Sequence, residues 1–271
     1  MVSFKKLPIS NYKNFFSSVD LLFVIIIGGL WGSFANVCIV RLPVDKGVVT
    51  GRSTCPKCRK QIRWYDNIPI FSYFFLGGKC RKCKKKISFR YVLVELISIL
   101  SFLFIYLLYG ISITTLLFFI LSLGFLIIFF IDLEHFIIPN VITYPLMVLG
   151  FLKSFLPNLD SIFPYYVLSL IGGIFGYAII WGIIYFYKQI KNKEGMGLGD
   201  AKLLAVIGFW FGLDAIPFVI FLSSAIALLL VMPDLIKKTK KMSTQIPFGP
   251  YIIAGNLIFL LLEKQLQFFI L

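Results

Sequence analysis

Apolar residues along this chain fall into long blocks, separated by short polar segments and one long one. The blocks lie at roughly 21–40, 91–110, 112–131, 140–157, 163–187, 201–213, 215–232 and 247–262. Blocks of this length read as helices, because an open segment in lipid must satisfy its own backbone. The pattern therefore predicts an all-α integral membrane protein of about eight transmembrane helices. The 201–213 block is short for a bilayer, but Gly212, Asp214 and Pro217 supply a turn that divides 201–232 into a hairpin.

Composition supports that reading. Of 271 residues, 59% are apolar and 14% charged, against roughly half and a quarter in soluble domains; the mean hydropathy is +0.92. A net charge of +15 raises nucleic acid as a partner, but basic residues also collect in the cytoplasmic loops of membrane proteins. Segment 41–90 holds 14 of the 27 basic residues, Lys188, Lys191 and Lys193 a second loop, and Lys237, Lys238, Lys240 and Lys241 a third. With the N-terminus outside, all three loops fall in the cytoplasm, and nucleic acid is not needed as a partner. Lys5 and Lys6 before an apolar run resemble a signal peptide. That run continues from Leu21 to about Val40 without a small-residue cleavage site, so it reads as a retained first helix. The organisation expected is an N-terminal segment and first helix (1–40), a polar cytoplasmic insert (41–90) and a transmembrane core (91–271).

The insert carries Cys55-Pro-Lys-Cys58 and Cys80-Arg-Lys-Cys83. Two such knuckles can supply four thiolates to one tetrahedral zinc ion, which would fold an insert too small to build its own core. Cytosolic thiols stay reduced, which disfavours disulfides; redox pairs and disulfides remain the alternatives. Cys38, inside the first span, reads as a small packing residue. The surrounding Lys and Arg could meet anionic lipid headgroups or nucleic acid, and the plain reading is a docking or stabilising module beside the membrane.

Acidic residues near lipid are costly and tend to be functional. Eight of the twelve flank helix ends or lie in loops, leaving Glu95, Asp132, Glu134 and Asp200. Asp132 ends the third span and Asp200 begins the sixth, after Gly195-Met-Gly-Leu-Gly, so the predicted topology puts both at one membrane face. Two carboxyls sharing a proton can act as base and acid in peptide hydrolysis. Gly197 and Gly199, lacking Cβ atoms, let an extended substrate strand approach closely. Each Asp alone reads more readily as a helix cap or a side chain reaching for water, and it is the two together on one face that raise a catalytic reading. Glu134 and His135 are neighbours of the pair, and Glu95 faces the bundle with its role open.

Several motifs follow one another along the chain: Gly32-Ser-Phe-Ala-Asn-Val37 with Arg41-Leu-Pro43; the four-cysteine insert with Ile62-Arg-Trp-Tyr-Asp-Asn-Ile-Pro69 and Ile87-Ser-Phe-Arg-Tyr91; Asp132 through Pro139; Gly197-Leu-Gly-Asp200; and Pro247-Phe-Gly-Pro250. The ordered set resembles the type IV prepilin peptidases, the leader peptidases of type II secretion and competence systems. Ala35 departs from the bulkier residue expected in the first motif, which bears on packing and not on chemistry.

The resemblance implies a bacterial inner-membrane aspartic peptidase with Asp132 and Asp200 catalytic and Gly197, Gly199 and Glu134 supporting the catalytic loops. It would remove the basic leader from prepilins or pseudopilins at the cytoplasmic face. Relatives with four cysteines also methylate the new N-terminus from S-adenosylmethionine. No residues are assigned to that donor, and the insert has no glycine-rich dinucleotide fingerprint. The rival readings are an intramembrane protease of presenilin or signal-peptide-peptidase type, an ion-coupled transporter with a zinc module, and a non-catalytic zinc-stabilised adaptor.

Overall fold

The structure is a computed structural model describing residues 18–49, 51, 53–55, 57–156, 159, 162–192, 197–236 and 246–270, with side chains to 233 in the eighth helix and 263 in the ninth. The expected loop Lys237–Lys241, Glu194 with the glycine and methionine after it, and the N-terminal lysines lie outside the described residues. Among those described, the helices are α1 (Ser18–Arg41), α2 (Phe71–Phe75), α3 (Arg90–Tyr109), α4 (Ile113–His135), α5 (Asn140–Leu152), α6 (Tyr166–Lys191), α7 (Leu198–Phe211), α8 (Ala215–Ile236) and α9 (Gly249–Ile270). Short 3₁₀ turns follow α1 and α5 and precede α2. Among the described residues no strand is present, only two isolated antiparallel bridges.

Every predicted block is a helix, and the differences lie at the ends. Helix α4 runs past 131 to His135 because nothing breaks it until Phe136, whose φ of 57° lies in the left-handed region; Asp132 thus falls within its last turn. Helix α6 starts at Tyr166 because Pro164 and the extended Tyr165 before it hold the chain open. The expected hairpin is present: Gly212, with φ 82°, ends α7, and α8 begins at Ala215. Among the described residues, five helices are long and apolar enough to cross a membrane: Ser18–Val44, Arg90–Tyr109, Ile113–His135, Tyr166–Lys191 and Ala215–Pro233. The apolar stretches Asn140–Phe155 and Gly249–Glu263 are shorter. At 1.5 Å per residue, the 14-residue α7 spans only about 21 Å.

The chain forms two compact units, whose boundary falls within α4 between Leu123 and Gly124 and near the end of α1. In the first, α1 and α3 pack antiparallel in steps of four. Asn36 donates to Tyr91 O (2.9 Å), and Ser98 donates to Gly28 O (2.8 Å). A Cβ on Gly32 would stand 2.8 Å from Glu95 Cα, and one on Gly28 2.9 Å from Ile99 Cα. Small residues at this spacing let helices in lipid approach closely. Phe102 adds a stack on Phe119 at 3.9 Å.

In the second unit α7 is the central element, with ten of its residues buried, from Asp200 to Phe211. Helix α6 reaches it through Gly172, Gly173 and Gly176; a Cβ on Gly172 would stand 2.7 Å from Gly208 O. Trp210 donates its indole N–H to Leu146 O (2.8 Å), and Ser169 donates to Phe209 O (2.6 Å), tying α5 and α6 to the far end of α7. Overpacking such a seam costs about 1–3 kcal/mol or more. Gly172→Val should therefore lower the melting temperature of the detergent-solubilised protein by several degrees. Gly182→Ala, on an open part of the same helix, should leave it unchanged or raise it; the two thermal scans check this.

Candidate functional site

In the second unit, Asp132 sits in the last turn of α4, buried at 5% exposure, between the fully buried Ile131 and the exposed Leu133 and Glu134. Its Oδ2 accepts a hydrogen bond of 2.9 Å from the backbone N–H of Gly249, the first residue of α9. That amide is one of the donors a helix start leaves without an intrahelical partner, and the helix dipole favours negative charge there. A Cβ on Gly249 would stand 2.8 Å from the same oxygen, so only glycine lets the amide reach the carboxylate.

Asp200 lies in the first turn of α7, at 8% exposure. The N-cap is Gly197, extended and without a side-chain bond. Asp200 therefore does not cap the helix itself; it reaches back from the third position toward the Gly197 N–H, the acidic half of a capping box. The Asp132 and Asp200 carboxylates lie within electrostatic range of each other.

The connection between α4 and α5 fixes their approach. A Cβ on Gly199 would stand 2.9 Å from Ile138 Cβ, and one on Gly249 3.3 Å from Ile138 Cδ1. Ile138 is thus a wedge touching both the residue before Asp200 and the residue bonded to Asp132. At the start of α5, Asn140 accepts a 2.7 Å hydrogen bond from Lys202 Nζ, and Pro139 O accepts from the Thr143 hydroxyl (3.3 Å). Two buried carboxyls within electrostatic range of each other favour keeping one proton between them over carrying two negative charges, and such a pair can divide the roles of base and acid.

Of the other expected residues, Gly199 is pressed on Ile138, whereas Gly197 is exposed with nothing nearer than 3.8 Å to a Cβ placed on it. Glu134 and His135 are exposed at the end of α4. Sequence reading did not single out Ile138 or Lys202, and it took Gly249 only as part of a turn. Lys202 carried a signal, being a cation inside an apolar helix two residues from Asp200.

The insert belongs to the first unit. Cys55, Cys58, Cys80 and Cys83 bring their sulfurs within 4.8 Å of one another, with Cys55 and Cys83 at 3.9 Å. All are free thiols. Thiolates at about 2.3 Å around one tetrahedral ion lie about 3.8 Å apart, so the cluster could hold a metal ion. The two knuckles repeat one another bond for bond. Cys55 N donates to Lys60 O (3.0 Å) and Arg59 N to Cys55 O (2.8 Å); Cys80 N donates to Lys85 O (3.0 Å) and Lys84 N to Cys80 O (2.9 Å). Bridges Thr54–Gln61 and Lys79–Lys86 close each loop, and Arg59 and Lys84 both adopt left-handed φ, 56° and 58°. Backbone amides of Cys83 and Lys82 lower the Cys80 thiol to about 6. Cys83 is pushed up to about 11 by burial and by the neighbouring Cys80, Cys58 and Cys55, against the pull of the Lys85 amide. Four thiolates this close repel, and a central cation removes that repulsion.

Arg81, inside the second knuckle, forks onto Asp66 with bonds of 2.7 to 3.1 Å and holds that carboxyl below its ordinary range.

Comparison with known proteins places these features. Residues 26–109 match the model of the bacterial peptidase A24 N-terminal domain, and residues 117–232 that of the type IV leader peptidase family. A prepilin leader peptidase/N-methyltransferase of Pseudomonas aeruginosa is 33% identical, covering 96% of both chains. Proteins of the same name from Neisseria gonorrhoeae and Aeromonas hydrophila are 36% and 34% identical, over 86% and 85% of this chain and 88% and 86% of theirs. No solved structure matches.

The Gly249 contact makes a sharp prediction. Gly249→Ala should cost at least about tenfold in turnover, because a misplaced reacting group loses rate steeply, with little loss of thermal stability. Gly249→Ala activity within twofold of the parent would contradict the role given to this amide.

Proposed function

The chain belongs to the type IV leader peptidase family, and from that premise we propose that it is a membrane aspartic endopeptidase that removes the basic leader from type IV prepilins or pseudopilins and N-methylates the residue left at the new N-terminus. The observation that carries the peptidase half is the buried pair, Asp132 and Asp200, brought together by Ile138 and anchored through Gly249. One carboxylate takes a proton from water as the water oxygen attacks the scissile carbonyl. The other, protonated, gives its proton to the departing amide nitrogen, and the pair returns to its one-proton state. The two titrate as a unit, so the roles belong to the pair. Gly197 leaves open space for an extended substrate backbone beside Asp200, Gly199 fixes the loop on Ile138, and Glu134 stands at the site's exposed margin.

In this reading, segments 1–40, 41–90 and 91–271 serve as the first helix with its N-terminal segment, the methylation-associated insert and the peptidase core. The basic loops set the N-terminus outside and the carboxylates toward the cytoplasm of a bacterial inner membrane. Cys55, Cys58, Cys80 and Cys83 hold one structural zinc ion, which supplies fold and not chemistry. S-adenosylmethionine supplies the methyl group, transferred to the free α-amine.

Mass measurement of the N-terminus of a co-expressed prepilin tests both activities in one spectrum. Asp132→Asn and Asp200→Asn should each reduce cleavage at least about 10³-fold, since members of a catalytic unit fail singly. Substantial cleavage by either variant would sink the two-carboxylate model. The purified chain should contain one zinc per molecule, and Cys58→Ser or Cys83→Ser should lose zinc and methylation while retaining cleavage. A well-folded, metal-free preparation would end the zinc proposal.

A further inference from the structure

The insert contains a stretch that neither the cysteines nor the carboxylates explain. Residues 67–78, between the two knuckles, include no charged side chain, although Arg63 and Lys79 flank them. At their centre α2 presents Phe71, Phe74 and Phe75 at 66%, 67% and 87% exposure, and Trp64 is exposed just before. In water such a cluster would be an unexplained apolar patch.

Its depth explains it. A Cβ on Gly29 would stand 3.4 Å from Pro69 Cβ and 3.6 Å from Ile99 Cδ1. Gly29 lies at the midpoint of the 24-residue α1, twelve residues from Arg41, or about 18 Å along the helix. Ile99 lies nine residues into α3, about 14 Å from its start. The α1–α3 register described above ties these two measures together. The chain after the first knuckle thus descends beside α1 and α3 to the middle of α1, turns at Pro69 and Ile70, and returns through α2 to the second knuckle.

We propose that residues 68–75 form a re-entrant element inserted in the bilayer, with Phe71, Phe74 and Phe75 against lipid acyl chains and the cysteine knuckles held at the membrane surface. Irregular backbone survives at membrane depth only where its polar groups are satisfied, and much of this turn is bonded within the element. Phe71 N donates to Pro69 O (2.6 Å), Ser72 N to Ile68 O (3.2 Å) and Leu76 N to Ser72 O (3.0 Å). Ile70 is forced to φ 62° at the turn. Its N–H donates instead to Glu95 Oε2 at 2.8 Å. Glu95, buried at 8% exposure within an apolar helix, is therefore the acceptor that lets the descending chain turn. Trp64 and the flanking Arg63 and Lys79 suit the headgroup level, where aromatic and basic side chains anchor interfacial segments.

The test uses the full wild-type chain in phosphatidylethanolamine–phosphatidylglycerol vesicles doped with a phospholipid bearing a diazirine on its acyl chain. After photolysis, mass spectrometry should find adducts on the Phe71–Phe75 peptide within about threefold of the yield on the exposed α1 residues Leu22, Phe23 and Ile26. The yield should be at least about tenfold above that on peptides carrying Arg59 or Lys84. Labelling of α2 no greater than that of the knuckles would overturn the insertion, whether the patch then faces water or another protein. Glu95→Gln, which keeps an acceptor, should preserve the pattern, whereas Glu95→Leu should lower α2 labelling several-fold. Undiminished α2 labelling in Glu95→Leu would overturn the anchoring role of Glu95.

Discussion

The second unit depends on one close approach, that of α6 to α7 through Gly172 and Gly208. Helix α7, about 21 Å long, is shorter than a typical bilayer core, and most of its surface is buried in protein. It is enclosed by α5, α6, α8 and α9, and the glycine seam lets the backbones close on it without side chains between them. Enclosure gives α7 freedom that a lipid-facing helix lacks: its polar end can sit within the protein. Asp200 occupies that end, and Trp210, pinned to Leu146, occupies the other. The position of the carboxylate along the unit is thus set by packing at the far end of a rigid rod.

Three separate stretches of chain meet around Asp132 and Asp200, and none approaches them by helix periodicity alone. Helix α4 ends at Phe136 in a left-handed turn, the short connection lays Ile138 under two glycines, and the first amide of α9 turns toward Asp132. Lys202 then holds the start of α5 to α7. Each contact is weak by itself, but Ile138 lies against both Gly199 and Gly249, so separating the Asp200 loop from the start of α9 disturbs both contacts at once. The first unit uses the same economy. Two knuckles with matching hydrogen bonds are joined by a segment whose turn is held by one side chain, Glu95.

Much of this was legible in the sequence because helices in lipid announce themselves by uninterrupted apolar length. A break such as Gly212 acts locally, and so the hairpin between α7 and α8 could be read from residues alone, whereas the block read from 163 ran through Pro164 and missed the start of α6. The pairing of the cysteines was legible for the same reason, since a short spacing fixes ligand geometry. Helix α2 was not. Five residues of Phe, Ser and Tyr carry no period, and their depth is set by Gly29 and Ile99, far away in the chain. Ile138 and Gly249 were hidden likewise: an isoleucine before a proline and a glycine in a turn look ordinary until long-range packing gives them neighbours. Glu95 was noticed as costly, but its partner is a backbone amide at Ile70, which has no side-chain signature.

The bond from Gly249 to Asp132 comes from the main chain, and this has an evolutionary consequence. A donor belonging to the peptide backbone cannot be deleted by exchanging a side chain, so sequence drift on either side of Gly249 leaves the donor in place. The vulnerability is concentrated in a single atom that must stay absent, the Cβ at position 249. Natural variation in this corner of the molecule should therefore be free in identity at its neighbours and frozen at the glycine. An inhibitor that exploits the amide would meet a target with very few viable routes to resistance.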